Sequence, residues 1–404
     1  MTELAAGPAL ARSGAGDRLR LESVDVLRGI VMIIMALDHV RDFFGNYAVN
    51  PTDPATTTAG LFFTRWITHF CAPTFFLLTG VGSRLSLKNK STAELSRFLV
   101  TRGLWLVFLD AVVVRCLGMQ FNFDYRVTIL NVLWALGWSM VGLSVLVRFS
   151  AKVPLIVGVI LVLGHNLLDG IPAQAFGALA PLWTVLHAGG FLLPGPEHTV
   201  LVGYPVIPWV GVTAVGYSLA EVYGWDAERR RSYLLKLGLG LIVAFVVVRG
   251  ANIYGDPQPW KAQETSLQTL FSFFNTSKYP PSLAFLLMTL GPSIWVLALL
   301  ERGTPNRLRP ALTIGRVPLF YFVVHLTLIH ALAVLACHLR YGEIHWMFES
   351  PSLDKYPFTQ PPGWPLSLPL VYLWWIGVVV LLYPLCVWFS GLKQRRRDWW
   401  LSYL

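Results

Sequence analysis

Six ionisable residues, Asp25, Arg28, Asp38, His39, Arg41 and Asp42, fall within VDVLRGIVMIIMALDHVRDFF (24–44), a segment otherwise apolar enough to cross a bilayer. A charged group deep in hydrocarbon costs about 2.5–3.5 kcal/mol on insertion scales, so such groups face a protein interior or a wet cavity. Asp25, Arg28, Met32, Met35, His39 and Asp42 recur at steps of three and four, which puts them on one stripe of a helix. Arg28 and His39 are then roughly 16 Å apart along the axis, about half a hydrocarbon core. Such a stripe can line a polar route from one leaflet towards the other. At one end Asp25 and Arg28 can pair at i, i+3. At the other, His39 lies within a turn of Asp38 and Asp42, which suits a general base held in one tautomer or stabilised when protonated. The competing structural reading makes Asp25/Arg28 and Asp38/Arg41 ion pairs that anchor the helix ends, and neither pair needs His39.

A second apolar run, RWITHFCAPTFFLLTG (65–80), places Arg65 and His69 one turn apart. Pro73 is expected to kink it and free a carbonyl near His69, and His69 is expected at the depth of His39. His39, His69, Asp38 and Asp42 together form a candidate proton-transfer site. There is no HExxH or comparable spacing, so no metal is expected. Asp110 sits in the apolar run LWLVFLDAVVVR, a membrane carboxylate with Arg115 badly spaced as a helical partner. His165/Asp169 and Tyr321/His325 are further one-turn pairs, the latter nearer the cytoplasmic end of its span, whereas His330 and His338 read as packing. GxSxG, Walker and GxGxxG motifs are missing from any suitable context.

The elements that must position these residues are membrane helices. The 404 residues are 55% hydrophobic and 13% charged, with mean hydropathy +0.56, which excludes a disordered or ordinary soluble chain. Ten spans are predicted: 24–44, 61–85, 98–117, 128–147, 153–169, 205–223, 233–251, 281–300, 311–335 and 367–390. The fold class is therefore all-α and polytopic: a tail (1–23), one membrane domain (24–390) and a basic tail (391–404). Lys and Arg cluster in alternate connections: Arg12, Arg18 and Arg20; Arg84, Lys88, Lys90 and Arg97; Arg148 and Lys152; Arg229–Arg231; Arg302, Arg307 and Arg309; Lys393 and Arg395–Arg397. By the positive-inside rule both termini are cytoplasmic, provided that 171–203, with Pro172, Pro181, Pro194 and Pro196, forms an outside loop with a short re-entrant or surface helix. The net charge of +10 is spread over these short clusters, which argues against nucleic-acid binding. Cys71, Cys116, Cys337 and Cys386 stand alone in apolar runs and read as buried small hydrophobes. Aromatic residues of the outside loops, among them Trp260, Tyr279, Trp346, Tyr356 and Trp364, suit an interfacial belt or a platform for a sugar ring.

SVDVLRGIVMIIMALDH followed by HFCAPTFFLLTG resembles the heparan-α-glucosaminide N-acetyltransferase catalytic-domain family. YPVIPWVGVTAVGYSLA, NTSKYPPSLAFLLMTLGP, GRVPLFYFVVHLTLIH and GLKQRRRDWWLSYL look like its bacterial branch. Asp25, Arg28, Pro73 and Gly80 match family positions. The histidine used by lysosomal members lies between the two motif helices, where this chain has Asp53 and Thr56–Thr58. The resemblance implies a multi-pass inner-membrane enzyme moving acetyl from cytoplasmic acetyl-CoA to a glycan or amino sugar outside. Arg28, with Asp25, would hold donor phosphate; His39 or His69 would deprotonate the acceptor or carry the acyl group, oriented by Asp38 or Asp42. Membrane lipids and the acceptor are the expected partners, with a homo-oligomer left open. A proton-coupled transporter of a small polar solute is the alternative class, and an assembly factor the third.

Overall fold

The computed structural model describes residues 15–46, 49–89, 91–195, 197–396 and 398–403; Arg12, Lys90, Pro196 and Arg397 lie outside them. The first helix, α1 (Ala15–Phe44), packs against six of the later helices. α2 (Ala59–Thr68) and α3 (Cys71–Leu85) form one broken span. α4 (Thr92–Phe108) passes without a gap into a π-helix, Leu109–Met119. There follow β1 (Val127–Leu130), α5 (Val132–Leu146), α6 (Lys152–Gly164), the short α7 (Ala180–Trp183), and β2 (Gly190–Leu193) and β3 (Thr199–Val202). The rest is helical: α8 (Val206–Leu219), α9 (Ala227–Ala251), α10 (Ser266–Phe274), α11 (Leu283–Leu300), α12 (Arg309–Gly315), α13 (Pro318–Tyr341) and α14 (Leu368–Arg395).

The three strands depart from an all-helical chain. β3 pairs parallel with β1 and antiparallel with β2. The start of the predicted span 128–147 is therefore strand, and α5 holds only fifteen of its residues, 132–146. Among the described residues six helices are long and apolar enough to cross a membrane, and the bent pair formed by residues 152–168 and 173–188, which turns by 110°, would make a seventh. α1 is not among them, because its charges take it out of the apolar class. The expected short helix within 171–203 is present as the second arm of that bend.

Burial separates inner from outer helices. α11 buries 78% of its most apolar window, α9 and α14 only 22% each. Leu373, Val380 and Leu381 on α14 and Val243, Val246 and Val247 on α9 are exposed, as suits helices facing lipid. Small residues let inner helices approach. A Cβ on Gly29 would lie 1.8 Å from the Ala311 carbonyl oxygen, and one on Gly315 would meet the Asp25 carbonyl, so α1 and α12 cross backbone to backbone. Gly80 does the same for α3 against Thr213 of α8. All four cysteines are free and buried, as their apolar settings predict.

Candidate functional site

The α1 stripe separates into two ends. At the first, Arg28 Nη1 donates to Asp25 at 2.9 Å and to the Gly315 carbonyl at 3.1 Å. Arg28 and Met32 line a cavity of about 460 Å³ with Thr79, Ser83, Ser86 and Arg102. Lys393 stands close enough to Arg28 and Arg102 to feel both charges. Nearby, the buried Arg230 pairs with Glu301 at 2.6 Å, and Ser23 donates to the same carboxylate, tying α1, α9 and α11 together. Arg230 is thus an internal tie as well as part of a basic cluster.

At the second end, Met35, Asp38, His39 and Asp42 line a cavity of about 450 Å³. Asp38 pairs with Arg41 at 3.0 Å and with Arg65 of α2, and Arg41 also holds Asp42 at 2.6 Å. The local ion pair expected for Asp38 and Arg41 is real, but Arg65 makes it a bridge between helices. His39 Nδ1 is buried with no hydrogen-bond partner among the described residues, and its ring centre lies 5.2 Å from that of His325 on α13. His325 is the eighth residue of α13, and its contact with His39 is one that the spacing of Tyr321 and His325 does not announce. Its Nδ1 lies 3.0 Å from the Tyr321 carbonyl oxygen, and Nε2 is unpartnered.

His69 lines a neighbouring cavity and not the one that His39 lines. The chain breaks at His69–Phe70, between α2 and α3, upstream of Pro73, whose missing N–H leaves the His69 carbonyl without its helical donor. His69 opens onto a separate cavity of about 580 Å³, together with Asn50, Thr52, Gln258 and Asn275. The two cavities share Arg41, Asp42, Arg65, Lys278 and Tyr279, so the histidines stand on opposite sides of one charged wall. Asp53 lines neither: it accepts from the Ala55 N–H at 3.0 Å and the Thr56 hydroxyl at 2.9 Å.

Asp110 faces the His39 cavity from the π-helix. One oxygen accepts the Asn131 N–H at 2.9 Å; the other is buried with no hydrogen bond from the described residues. Arg115 is no partner to it. It instead binds the Asn122 carbonyl at 2.6 Å and Asp124 at 3.1 Å, closing the turn that leads to β1. Leaving a buried polar atom unpaired costs about 1–3 kcal/mol, so several around one region mark where a bound molecule would complete the hydrogen bonds.

Several contributors escaped the sequence reading. Arg249, 2% exposed, donates to the carbonyls of Gln258, Ser272, Phe273 and Asn275, and so shapes the loop that delivers Lys278 and Tyr279. Its only sequence signal is a lone arginine ending an apolar helix. His187 pairs with Asp169 at 3.1 Å, while the nitrogens of His165 face the Leu161 and Pro281 carbonyls, so this cluster holds the bent arm in place. His330 is buried between the Gly118 and Met347 carbonyls, the packing role expected, whereas His338 is exposed. Of the loop aromatics, Trp364 is buried with its N–H on the Phe43 carbonyl, and Tyr279 and Tyr356 line the His39 cavity. Among the described residues no three His, Cys, Asp or Glu side chains converge as a metal site.

The family described as Heparan-alpha-glucosaminide N-acetyltransferase, catalytic, matches residues 20–254. The chain belongs to this family. No curated protein matches it. Family membership and the apolar helices identify a multi-pass membrane protein of an acetyltransferase family. The match covers Arg28, His39, His69 and Asp110; Lys278, Tyr279, Phe322 and His325 lie beyond it.

Proposed function

We propose that this chain is an inner-membrane acetyltransferase that takes acetyl from cytoplasmic acetyl-CoA at the Arg28 cavity and delivers it to an amino sugar or other glycan at the His39 cavity. One observation carries the reading: the two cavities share Phe75, Val132 and Phe322 as wall residues, so they meet back to back inside the helices. Residues 24–390 act as one membrane domain crossing ten times, with both termini in the cytoplasm; the alternating Lys/Arg clusters support that orientation.

The residues around the Arg28 cavity suit such a donor. Arg28, Arg102 and the nearby Lys393 match phosphates, Thr79, Ser83 and Ser86 match amides, and Phe98, Leu106 and Leu133 match an aliphatic arm. Bound there, acetyl-CoA would supply a thioester carbonyl that an amine or hydroxyl can attack with departure of the sulfur. His39 takes the proton of the attacking group. Asp38 and Asp42 act on it through their charge, since their oxygens are held by Arg41 and Arg65. His69, beyond the charged wall, meets the acceptor on its way in. A proton-coupled transporter needs a continuous polar path, and the apolar wall shared by the two cavities disfavours it.

Inverted vesicles given labelled acetyl-CoA and a lumenal amino sugar test the reading. Label should reach the sugar. Transfer unchanged in both His39→Ala and His69→Ala would remove the roles assigned to them.

A further inference from the structure

Phe75, Val132 and Phe322 come from α3, α5 and α13, and each lines both the Arg28 and the His39 cavity. On α1, Met32 belongs to the first cavity and Met35 to the second, so the polar stripe is interrupted at the depth where the cavities meet. The partition between the cavities is apolar, and an acyl group passing from one to the other would cross an apolar neck. Phe322 is buried and meets His325 edge-on at 5.6 Å, and His325 is 5.2 Å from His39; the neck is thus built into the packing that holds the candidate base. Phe75 is the first of the two phenylalanines in the APTFFLLTG run, and Gly80, five residues further on, lets α3 press onto α8.

Neither a phosphate nor a sugar can enter such a neck without losing its hydration unpaired. A short, uncharged acyl group can. We infer that Phe75, Val132 and Phe322 form the acyl-length filter of this transferase, admitting acetyl and rejecting longer chains. The inference rests on the acetyltransferase reading and adds the residues that set its donor range. In the step they gate, the acyl carbon bonds to the acceptor nitrogen or oxygen as its bond to the donor sulfur breaks; His39 takes the acceptor's proton and the sulfur leaves as a thiolate.

The purified full chain is given acetyl-, propionyl- and butyryl-CoA in turn, with CoA binding measured on each variant. One methylene in an apolar pocket discriminates by roughly 10–200-fold. The unmodified chain should therefore prefer acetyl over butyryl by about tenfold or more. Phe75→Leu, Val132→Ala and Phe322→Leu each remove different atoms from the neck, and each should raise butyryl transfer relative to acetyl by about tenfold. Val132→Phe should close the neck, abolishing transfer while CoA binding persists. Opened variants that transfer acetyl with an unchanged acyl preference, or a Val132→Phe chain that transfers normally, would overturn the filter. An unmodified chain that transfers no acyl group would instead overturn the acetyltransferase reading and the filter with it.

Discussion

The two ends of α1 carry similar residues in different arrangements. At the Arg28 end one arginine shares a single nitrogen between Asp25 and a backbone carbonyl, and both side chains stay 20–24% exposed. Its remaining donors are available to a visitor. At the His39 end, Asp38, Arg41, Asp42 and Arg65 are locked into a bridge between α1 and α2. Two carboxylates face two guanidiniums there, with the Lys278 ammonium on the same cavity, so His39 sits in a strongly ordered field of both signs. Membrane charges on one helix face thus serve two purposes: a loosely tied one can bind, and a tightly tied one can hold a neighbour in place.

The sharpest way to break this contrast is His39→Ala. General-base removal costs about 10²–10⁴-fold, so labelled-acetyl transfer should fall by that order while CoA binding is unchanged; coupled losses would erase the distinction between the ends. Asp38→Ala probes the bridge itself. Breaking a buried pair costs about 3–5 kcal/mol, against about 1 kcal/mol or less for the more exposed Asp25→Ala, and thermal unfolding in detergent should rank them so. Arg28→Ala should weaken CoA binding by about 10–100-fold, since charged hydrogen bonds contribute about 1.5–3 kcal/mol; equal weakening in Arg65→Ala would show that tethering does not matter. The smallest effect is expected at Asp53, whose carboxylate only caps its own turn. Asp53→Ala should leave transfer within about twofold, as for surface changes of ±0.5 kcal/mol, and a large loss would move the catalytic centre into that loop.

How much of this was legible depends on range along the chain. The α1 stripe was readable because its periodicity is local, and the structure places every member of it beside one of the two cavities or in the Asp25–Arg28 pair. The pairing of Asp25 with Arg28 and the isolation of Asp110 from Arg115 were readable for the same reason. The contact of His325 with His39 was not, since it is fixed by how α13 crosses α1. The break at His69–Phe70 was signalled by Pro73, which leaves the His69 carbonyl without its donor; that His69 lines a different cavity from His39 has no local signal. β1 and β3 are four residues each and pair across some seventy positions, too short and too distant to rise above a helical hydropathy signal. Arg249 carries no motif at all, yet it organises an entire loop.

The π-helix at Leu109–Met119 gives that stretch of chain an unusual kind of constraint. An α-helix sets successive residues about 100° apart, whereas the wider π-helix, bonded i to i+5, sets them closer. Rewinding Leu109–Met119 as an α-helix of the same length would therefore swing Asp110 and the residues after it relative to one another around the axis. The carboxylate would then leave the His39 cavity, or Arg115 would lose the turn into β1, with no change in amino-acid type. In this segment the winding of the backbone, as much as the identity of the side chains, decides where Asp110 and Arg115 point.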